Sequence, residues 1–317
     1  MSLINNSSQL TRQSFKGATF VSFAASLWAF DGIVFRPLLV NLPVYLVVFI
    51  ESLIVTLIMS YLLFKNYKNL FSLNIKDWLS FLAVSILGGA IGTMAITKAF
   101  FYVNYVNLSI VVFIQKLQPI FAITFATILL KEKLTVSFII WAIIALIGTY
   151  LIAFGINLPS ISNGDKNFEA TLFALLAAFS FGSSTVFSKR ALRNVSVELG
   201  TYLRFLITTL VMFVVVTSLS RFKIISEISS FQIVVFILIA FSTGGPAILI
   251  YYYGLKRVSA SVATICELAF PLVAVILEYF LHDKILSLAQ WLGVFILLVS
   301  ILRVGGFNMN FISKKNC

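Results

Sequence analysis

Seven charged side chains lie inside long apolar stretches of this 317-residue sequence. A charge at the centre of a membrane helix costs about 2.5–3.5 kcal/mol on insertion scales, so such residues normally face a cavity or a partner. These residues are therefore the first candidates for binding chemistry. They are Asp31, Glu51, Lys98, Lys116, Arg204, Glu267 and Glu278.

Lys116 and Glu267 are the strongest candidates, because both fall near the middle of their apolar stretches, roughly 10–13 Å from an end at the α-helical rise. We predict that they form a substrate or coupling site together with Gln115. Opposite charges at this depth suit a zwitterion, whose carboxylate and ammonium groups each find a partner. The alternative is a structural ion pair that locks two parts of the chain together.

Asp31, Glu51 and Lys98 fall in the outer third of their stretches and are predicted to form a polar vestibule or an outer gate. Two simpler interpretations are that Lys98 snorkels to the interface and that Asp31 pairs with Arg36. Arg204 lies nearer the opposite end and is assigned to the same charge network, although it could also snorkel or hold a neighbouring helix.

Aromatic side chains are the second kind of candidate, because planar rings can stack on a substrate. Tyr252 stands in the run Tyr251 to Tyr253 and is predicted to bind substrate in this way. The alternative is that the three tyrosines form an aromatic belt at the membrane interface.

The composition requires that the elements which position these residues face lipid. Hydrophobic residues make up 60% of the chain and charged residues only 11%, with a mean hydropathy of +1.05, whereas soluble domains carry about 25% charged residues. The net charge of +12 is scattered between apolar runs instead of clustered, which argues against nucleic-acid binding. A basic balance is typical of a protein with many cytoplasmic loops.

Catalytic and metal-binding constellations are missing from the sequence. The single histidine, His282, stands at a loop, and Cys266 and Cys317 offer neither a disulfide framework nor metal-ligand spacing. Glu267 and Glu278 are 278 − 267 = 11 residues apart, about 16 Å along a helix, which is too far for paired carboxylates. We therefore expect neither an enzyme nor a cofactor.

Ten stretches are long and apolar enough to cross a bilayer core, which needs about 20 residues in a helix. Most lysines and arginines fall in the connections that are cytoplasmic if the N-terminus is inside. The predicted spans are 17–35, 44–64, 78–101, 108–130, 136–154, 170–188, 199–219, 231–253, 260–281 and 285–302.

An internal repeat divides these spans into two groups of five. At an offset of 244 − 92 = 152 residues, Gly92 falls on Gly244 and Pro119 on Pro271, while Gln115 falls opposite Glu267. Five is an odd number, so the second copy must enter the membrane from the opposite side. Inverted halves of this kind suit alternating access, since exchanging their conformations turns a central cavity from one side to the other.

The resulting prediction is an all-α integral membrane protein with ten transmembrane helices in two inverted five-helix repeats, in a bacterial inner membrane with both termini cytoplasmic. The predicted parts are a cytoplasmic N-terminal segment (1–16), whose following apolar run lacks a leader cleavage site, the first repeat (17–155), an extracytoplasmic linker (156–169), the second repeat (170–302) and a cytoplasmic tail (303–317). The glycine-rich runs 87–92 and 244–246 fall in corresponding third helices and are predicted to be hinges or cavity walls, or simply sites of close packing.

The sequence resembles the drug/metabolite transporter superfamily and, within it, the EamA-type permeases. The resemblance rests on Pro119 followed by an apolar run into the acidic turn 130–134, on a weaker copy from Pro271 to 285, on Arg204, and on Trp28 at the place of a common first-helix tryptophan. This chain departs from the family where glycine usually precedes the acidic turn, because Lys131 and His282 stand there. The resemblance implies a central cavity lined by both halves, with Trp28 among its lining residues, and secondary transport or exchange, often export.

The function predicted from these observations is secondary active transport of a small polar metabolite, amino-acid-like or related. A flippase for a lipid-linked sugar or lipid is the alternative within the same architecture, and an intramembrane enzyme is the remaining rival. Expected partners are the substrate, the lipid bilayer, and protons or a counter-substrate, with no nucleic acid, in a monomer or homodimer.

Overall fold

The computed structural model describes residues 2–103, 108–158, 166–219, 228–283 and 285–306, and in these ranges all regular structure is helical. Of the predicted features, residues 159–165 of the linker, Lys284 and residues 307–317 of the tail lie outside the described ranges. Ten apolar helices carry the fold. They are α1 (Arg12–Leu39), α2 (Val44–Ile58), α3 (Ile75–Tyr102), α4 (Leu108–Leu129), α5 (Val136–Phe154), α6 (Phe168–Ala191), α7 (Val197–Ser218), α8 (Ser230–Leu255), α9 (Ala260–Leu281) and α10 (Leu288–Val304).

Eight of these helices are long and apolar enough to cross a membrane, and α2 and α10 are shorter apolar helices. The predicted bounds differ from the observed ones for both of these, and α1 extends 17 − 12 = 5 residues before and 39 − 35 = 4 residues after the predicted 17–35. The second span was expected to run on to 64, but α2 ends at Ile58, and a turn at Met59 separates it from a short helix, Ser60–Asn66. The tenth was expected from 285, but Ser287 and Gln290 form a capping box that starts α10 at Leu288.

Most of the helix contacts keep their pattern when the two halves of the chain, α1–α5 and α6–α10, are exchanged. Helix α1 packs against α8 and α9, and its counterpart α6 packs against α3 and α4. The pairs α2–α7 and α5–α10 map onto themselves, and Thr56 and Thr209 share a buried hydrogen bond of 3.0 Å where α2 meets α7. This reciprocity is the signature of two-fold pseudo-symmetry.

Helices α4 and α9 are each broken at the same place in the repeat. The two parts of α4 are Leu108–Gln115 and Gln118–Leu129, and those of α9 are Ala260–Cys266 and Ala269–His282. Each break precedes a proline, which has no N–H to donate to the carbonyl four residues earlier. Pro119 therefore leaves the carbonyl of Gln115 without its helical donor, and Pro271 does the same for Glu267.

Helices α3 and α8 carry matching π-helical turns, over Ser85–Ile91 and Ala240–Gly244. These turns overlap or adjoin the two glycine-rich runs, and Pro246 removes the donor that would bond to the carbonyl of Ser242. A third π-helical turn, Asp31–Phe35, interrupts α1. Irregular backbone thus occurs in helices at the centre of the bundle, whereas α5 and α10 are regular.

The acidic turn after α4 joins the two halves. The Glu132 carboxylate accepts hydrogen bonds from the backbone N–H groups of Ala260 (2.8 Å) and Ser261 (3.1 Å) and from the Ser261 hydroxyl (2.6 Å). A carboxylate at a helix N-terminus satisfies orphan donors and interacts favourably with the helix dipole. Lys131 has φ 56° and Asp283 has φ 51°, so both copies of the turn contain a left-handed residue. In the first copy the left-handed residue directly precedes Glu132, a position that glycine would occupy without strain, whereas in the second copy it is the acidic residue itself.

Helices α5 and α10 form a close pair, and α5 exposes an apolar stripe of Ile139, Ile143 and Ile147 on its outer side. Their approach depends on glycine. A Cβ atom placed on Gly293 would lie 2.8 Å from the backbone nitrogen of Ile152 and 2.9 Å from the carbonyl oxygen of Gly148. No side-chain rotation can relieve such contacts with backbone.

We predict that Gly293→Ala forces α5 and α10 apart and lowers the free energy of unfolding by about 1–3 kcal/mol, the usual cost of overpacking. Thermal unfolding of the purified protein in detergent measures the change. Gly32→Ala is the control, because its Cβ would meet nothing nearer than 3.5 Å. Equal melting temperatures for the wild type and Gly293→Ala would contradict the predicted close approach.

Candidate functional site

A central cavity lies between eight of the ten helices, α1–α4 and α6–α9, and its described lining contains no residue of α5 or α10. Both halves contribute through corresponding helices. The broken helices α4 and α9 line it at their breaks, with Lys116 and Glu267, and the π-helical turns of α3 and α8 line it with Gly89 and Gly244. The irregular backbone of all four helices therefore borders the cavity, and of these regions the sequence had predicted only the glycine-rich runs of α3 and α8.

Glu267 is 4% exposed and its carboxylate is surrounded by donors. Oε1 accepts hydrogen bonds from the Tyr251 hydroxyl (2.7 Å) and the Thr185 hydroxyl (3.4 Å), and Oε2 accepts one from Nε2 of Gln118. Gln118 in turn accepts a hydrogen bond of 3.0 Å from Nε2 of Gln115. A buried charge is tolerated when hydrogen bonds replace its water shell, and this network does so.

Lys116 is also buried, at 3% exposure, and its Nζ lies 3.9 Å from the centre of the Phe270 ring. This is a cation–π contact at close range. Lys116 and Glu267 both lie in the part of the chain that the structure describes, and no nitrogen–oxygen contact within 4.0 Å joins them. The alternative interpretation, a direct ion pair of Lys116 with Glu267, is therefore not observed, and both side chains border the cavity.

Arg36 joins two carboxylates on another wall of the cavity. Its Nε lies 2.7 Å from Asp31 Oδ2 and its second terminal nitrogen lies 2.7 Å from Glu51 Oε2. Asp31 Oδ1 also accepts a hydrogen bond of 3.1 Å from the Thr243 hydroxyl in the second half. The pairing of Asp31 with Arg36 was one of the interpretations of the sequence, but the sequence did not indicate that Arg36 also holds Glu51.

The structure places the predicted aromatic residues in different environments. Trp28 lines the cavity and its ring centre lies 5.1 Å from that of Tyr251, which also lines it. Tyr252 is fully buried outside the lining, with its hydroxyl 3.2 Å from Ser188 and 3.4 Å from Arg204. Tyr253 is 41% exposed and stacks on Arg257, as expected of an interfacial residue.

The remaining predicted charges are divided between inside and outside the cavity. Arg204 lines it, whereas Lys98 does not, and the Lys98 ammonium lies 4.6 Å from the centre of the Tyr102 ring. Glu278 lines a second cavity, which is bordered mainly by α4, α5, α9 and α10. Sequence reasoning missed Gln118 and Thr185, and within the tyrosine run it chose Tyr252, whereas Tyr251 lines the cavity. A signal was present for Gln118, which directly precedes Pro119 at the break.

An all-helical bundle of apolar helices with a polar cavity between corresponding helices of two halves is the architecture of a membrane transporter. The sequence model of the EamA-like transporter family matches residues 15–154 and, a second time, residues 169–305. The chain belongs to the EamA-like transporter family, which lies within the drug/metabolite transporter superfamily, as the sequence had suggested.

Individual relatives agree with this assignment. A riboflavin transporter, ImpX, of Fusobacterium nucleatum subsp. nucleatum is 43% identical over 294 residues, which cover 92% of this chain and 98% of the relative. An uncharacterized transporter of Synechocystis sp. is 26% identical over 231 residues, covering 71% of this chain and 64% of the relative. A solved crystal structure superposes with a TM-score of 0.66 over 93% of this chain and 96% of that chain, and at 15% identity it supports the fold alone.

We predict that Arg36→Ala lowers the free energy of unfolding by about 3–5 kcal/mol, because it leaves the buried carboxylates of Asp31 and Glu51 without their cation. Thermal unfolding in detergent measures the loss. Adding Asp31→Asn and Glu51→Gln to Arg36→Ala should restore much of the stability, since the triple variant buries no unpaired charge. Lys98→Ala, which removes a cation outside the cavity lining, is the matched control, and an equal loss in that variant would contradict the predicted role of Arg36.

Proposed function

We propose that this chain is a secondary transporter that moves riboflavin, or a closely similar flavin, through the central cavity by alternating access. The observation that carries the proposal is the 43% identity, over nearly the full length of both chains, with a relative named as a riboflavin transporter. The lining of the cavity supports the same substrate class.

The shape and polarity of riboflavin suit this cavity. Its tricyclic ring is flat, with one pyrimidine-like edge that donates and accepts hydrogen bonds, and its side chain is a string of hydroxyl groups. Trp28, Tyr251 and Phe270 supply aromatic faces, and the amides of Gln115 and Gln118 can donate and accept. Aromatic faces with a few convergent polar groups are typical of a site for a planar heterocycle.

The electrostatics favour a substrate without net charge. Three carboxylates and three cations appear in the described lining, so the formal sum is 3 − 3 = 0. Asp31 and Glu51 are already paired with Arg36, and Glu267 already accepts from three side chains. Riboflavin is uncharged near neutral pH, and binding it would not require any of these groups to give up its partner.

An amino-acid-like substrate is the second candidate. Lys116 and Glu267 support it, because they lie at the two helix breaks and border one cavity with opposite charges. The hydrogen bonds of Glu267 argue against this candidate. An ammonium group of the substrate could bind the carboxylate only by displacing donors that it already accepts from. A competition experiment separates the two candidates.

We predict that cells unable to make riboflavin, when they express this chain, take up labelled riboflavin faster than cells with an empty vector. Uptake should be reduced by an excess of unlabelled riboflavin and unchanged by a mixture of amino acids. Saturable uptake of amino acids without uptake of riboflavin would overturn the proposed substrate in favour of the second candidate. Movement of a lipid-linked sugar, without either of these, would favour a flippase.

The same assay tests the proposed site. Lys116→Ala and Glu267→Gln should each reduce riboflavin uptake by about tenfold or more. The first removes a cation that borders the cavity, and the second weakens the hydrogen bonds by which Glu267 holds Tyr251 and Gln118 in the lining, where a bond to a charged group contributes about 1.5–3 kcal/mol. Glu169→Gln is the matched control for Glu267→Gln, since it removes an exposed carboxylate in the first turn of α6. Unchanged uptake in both cavity variants, at equal protein levels, would remove the site from the proposal.

The proposed transport cycle depends on ten crossings in two inverted halves, with both termini cytoplasmic. The reciprocal contacts of the two halves and the matched breaks in α4 and α9 support an exchange of conformations between them. Protons or a counter-substrate would provide the driving force, and the functional unit would be a monomer or a homodimer in the inner membrane.

Cysteine labelling tests this topology. In a chain without Cys266 and Cys317, Ile156→Cys should react with a membrane-impermeant thiol reagent added outside, because the end of α5 faces outward and Ile156 is 86% exposed. Lys133→Cys, which follows α4 and is also exposed, should react only after the membrane is opened. Labelling of both positions from the same side would contradict the ten-span topology.

A further inference from the structure

A second cavity lies beside the central one, and two phenylalanines line both. The second cavity is bordered by the first turns of α4, the last turns of α5, the outer part of α9 and the loop before α10. These are the ends that we propose face outward. Phe100 from α3 and Phe270 from α9 are the two side chains shared by the described linings of the two cavities.

The two rings meet over a glycine. A Cβ atom placed on Gly32 would lie 3.5 Å from a ring carbon of Phe100 and 3.5 Å from a ring carbon of Phe270. Both rings therefore reach the same point on α1, and both residues are nearly buried, at 5% and 6% exposure. Gly32 belongs to the π-helical turn Asp31–Phe35, and Phe270 follows the break of α9 by two residues. Phe100, by contrast, belongs to the regular α-helical part of α3, Gly92–Tyr102.

The second cavity communicates with the outer end of the bundle. Ile285, in the loop between α9 and α10, lines it and is 85% exposed. Its wall combines apolar residues such as Phe113 with polar ones such as Ser109 and Gln290. A cavity of this composition can admit a molecule that is part aromatic and part polar.

We propose that Phe100 and Phe270 form a gate between the central cavity and this second cavity, which serves as an outer vestibule for the substrate. The proposal rests on the proposed transport function. To pass, a planar substrate must replace the contact between the rings and Gly32 with its own stacking contact. The exchange costs little because the rings give up a van der Waals contact with Gly32 and gain a stacking contact with the substrate. Rotation of the rings breaks no hydrogen bond, so the gate can open without leaving a buried donor unpaired.

Thiol accessibility tests the gate without using any substrate, so it can fail while riboflavin transport stands. The background is the chain with Cys266→Ala and Cys317→Ala. Ser109→Cys places a thiol in the vestibule alone, and Thr93→Cys places one in the central cavity alone. A membrane-impermeant reagent added outside should modify Ser109→Cys quickly and Thr93→Cys slowly.

Truncating either gate residue should then open the central cavity. With Phe100→Ala or Phe270→Ala added, the rate at Thr93→Cys should rise by at least about tenfold, because the rate follows the fraction of time the gate is open. Phe113→Ala is the matched control, since its ring lines the vestibule alone. Phe100→Leu and Phe270→Leu, with a smaller expected rise, replace any alanine variant that fails to fold.

Three results would overturn the proposal. The first is a Thr93→Cys rate in the parent chain that equals the Ser109→Cys rate, because no barrier would then separate the cavities. The second is an unchanged Thr93→Cys rate in all four gate variants. The third is an equal acceleration by Phe113→Ala, because the effect would then be general loosening of the bundle.

Discussion

The structure depends on one constraint, which is that a polar group in the bilayer core has no water to satisfy it. The buried charges meet this constraint in different ways. Arg36 forms ion pairs with two carboxylates, Glu267 accepts hydrogen bonds from neutral donors, and Lys116 lies against an aromatic ring. Because these solutions need partners from several helices, they fix the position of the helices around the cavity. The apolar stripe of α5 needs no such partners, and α5 is regular and stays outside the cavity lining.

The two halves have helix breaks at corresponding positions, but they carry different side chains there. The breaks of α4 and α9 correspond, yet Lys116 falls opposite Leu268 and Gln115 opposite Glu267 at the repeat offset. Symmetric backbone irregularities allow two related conformations, whereas the asymmetric side chains create one binding surface with different walls. A cavity whose walls carry different polar side chains can recognise an asymmetric molecule, which a strictly two-fold site would not.

The sequence was most informative about features that depend on the type of a residue and on its near neighbours in the chain. Glycine and proline predicted the irregular regions of α3 and α8, and the cost of buried charge directed attention to Lys116 and Glu267, whereas the breaks of α4 and α9 fall inside stretches that were expected to be continuous. It was least informative about which face of a helix meets the cavity. Helices in lipid are apolar on both sides, so the periodicity that separates inside from outside in a soluble helix is lost. The π-helical turn in α8 adds a residue to one turn and rotates everything after it. Tyr251 rather than Tyr252 therefore lines the cavity. Gln118 and Thr185 carry no charge, and the insertion cost that marked Lys116 gave no comparable signal for them.

The two ends of the bundle are joined by different kinds of interaction, and this difference bears on how the cavity opens. At the end where α9 begins, Glu132 of the first half bonds to backbone N–H groups of the second half. Separating the halves there would leave a carboxylate and two amide donors to be hydrated at once. Toward the end where α9 finishes, the rings of Phe100 and Phe270 meet over Gly32 without a hydrogen bond between them. Aromatic surfaces can part and re-form with a substrate between them, so the phenylalanine side should open at lower cost. The first substrate contacts would then be made there, and the hydrogen bonds of Glu132 would hold the opposite end closed until the halves exchange conformations.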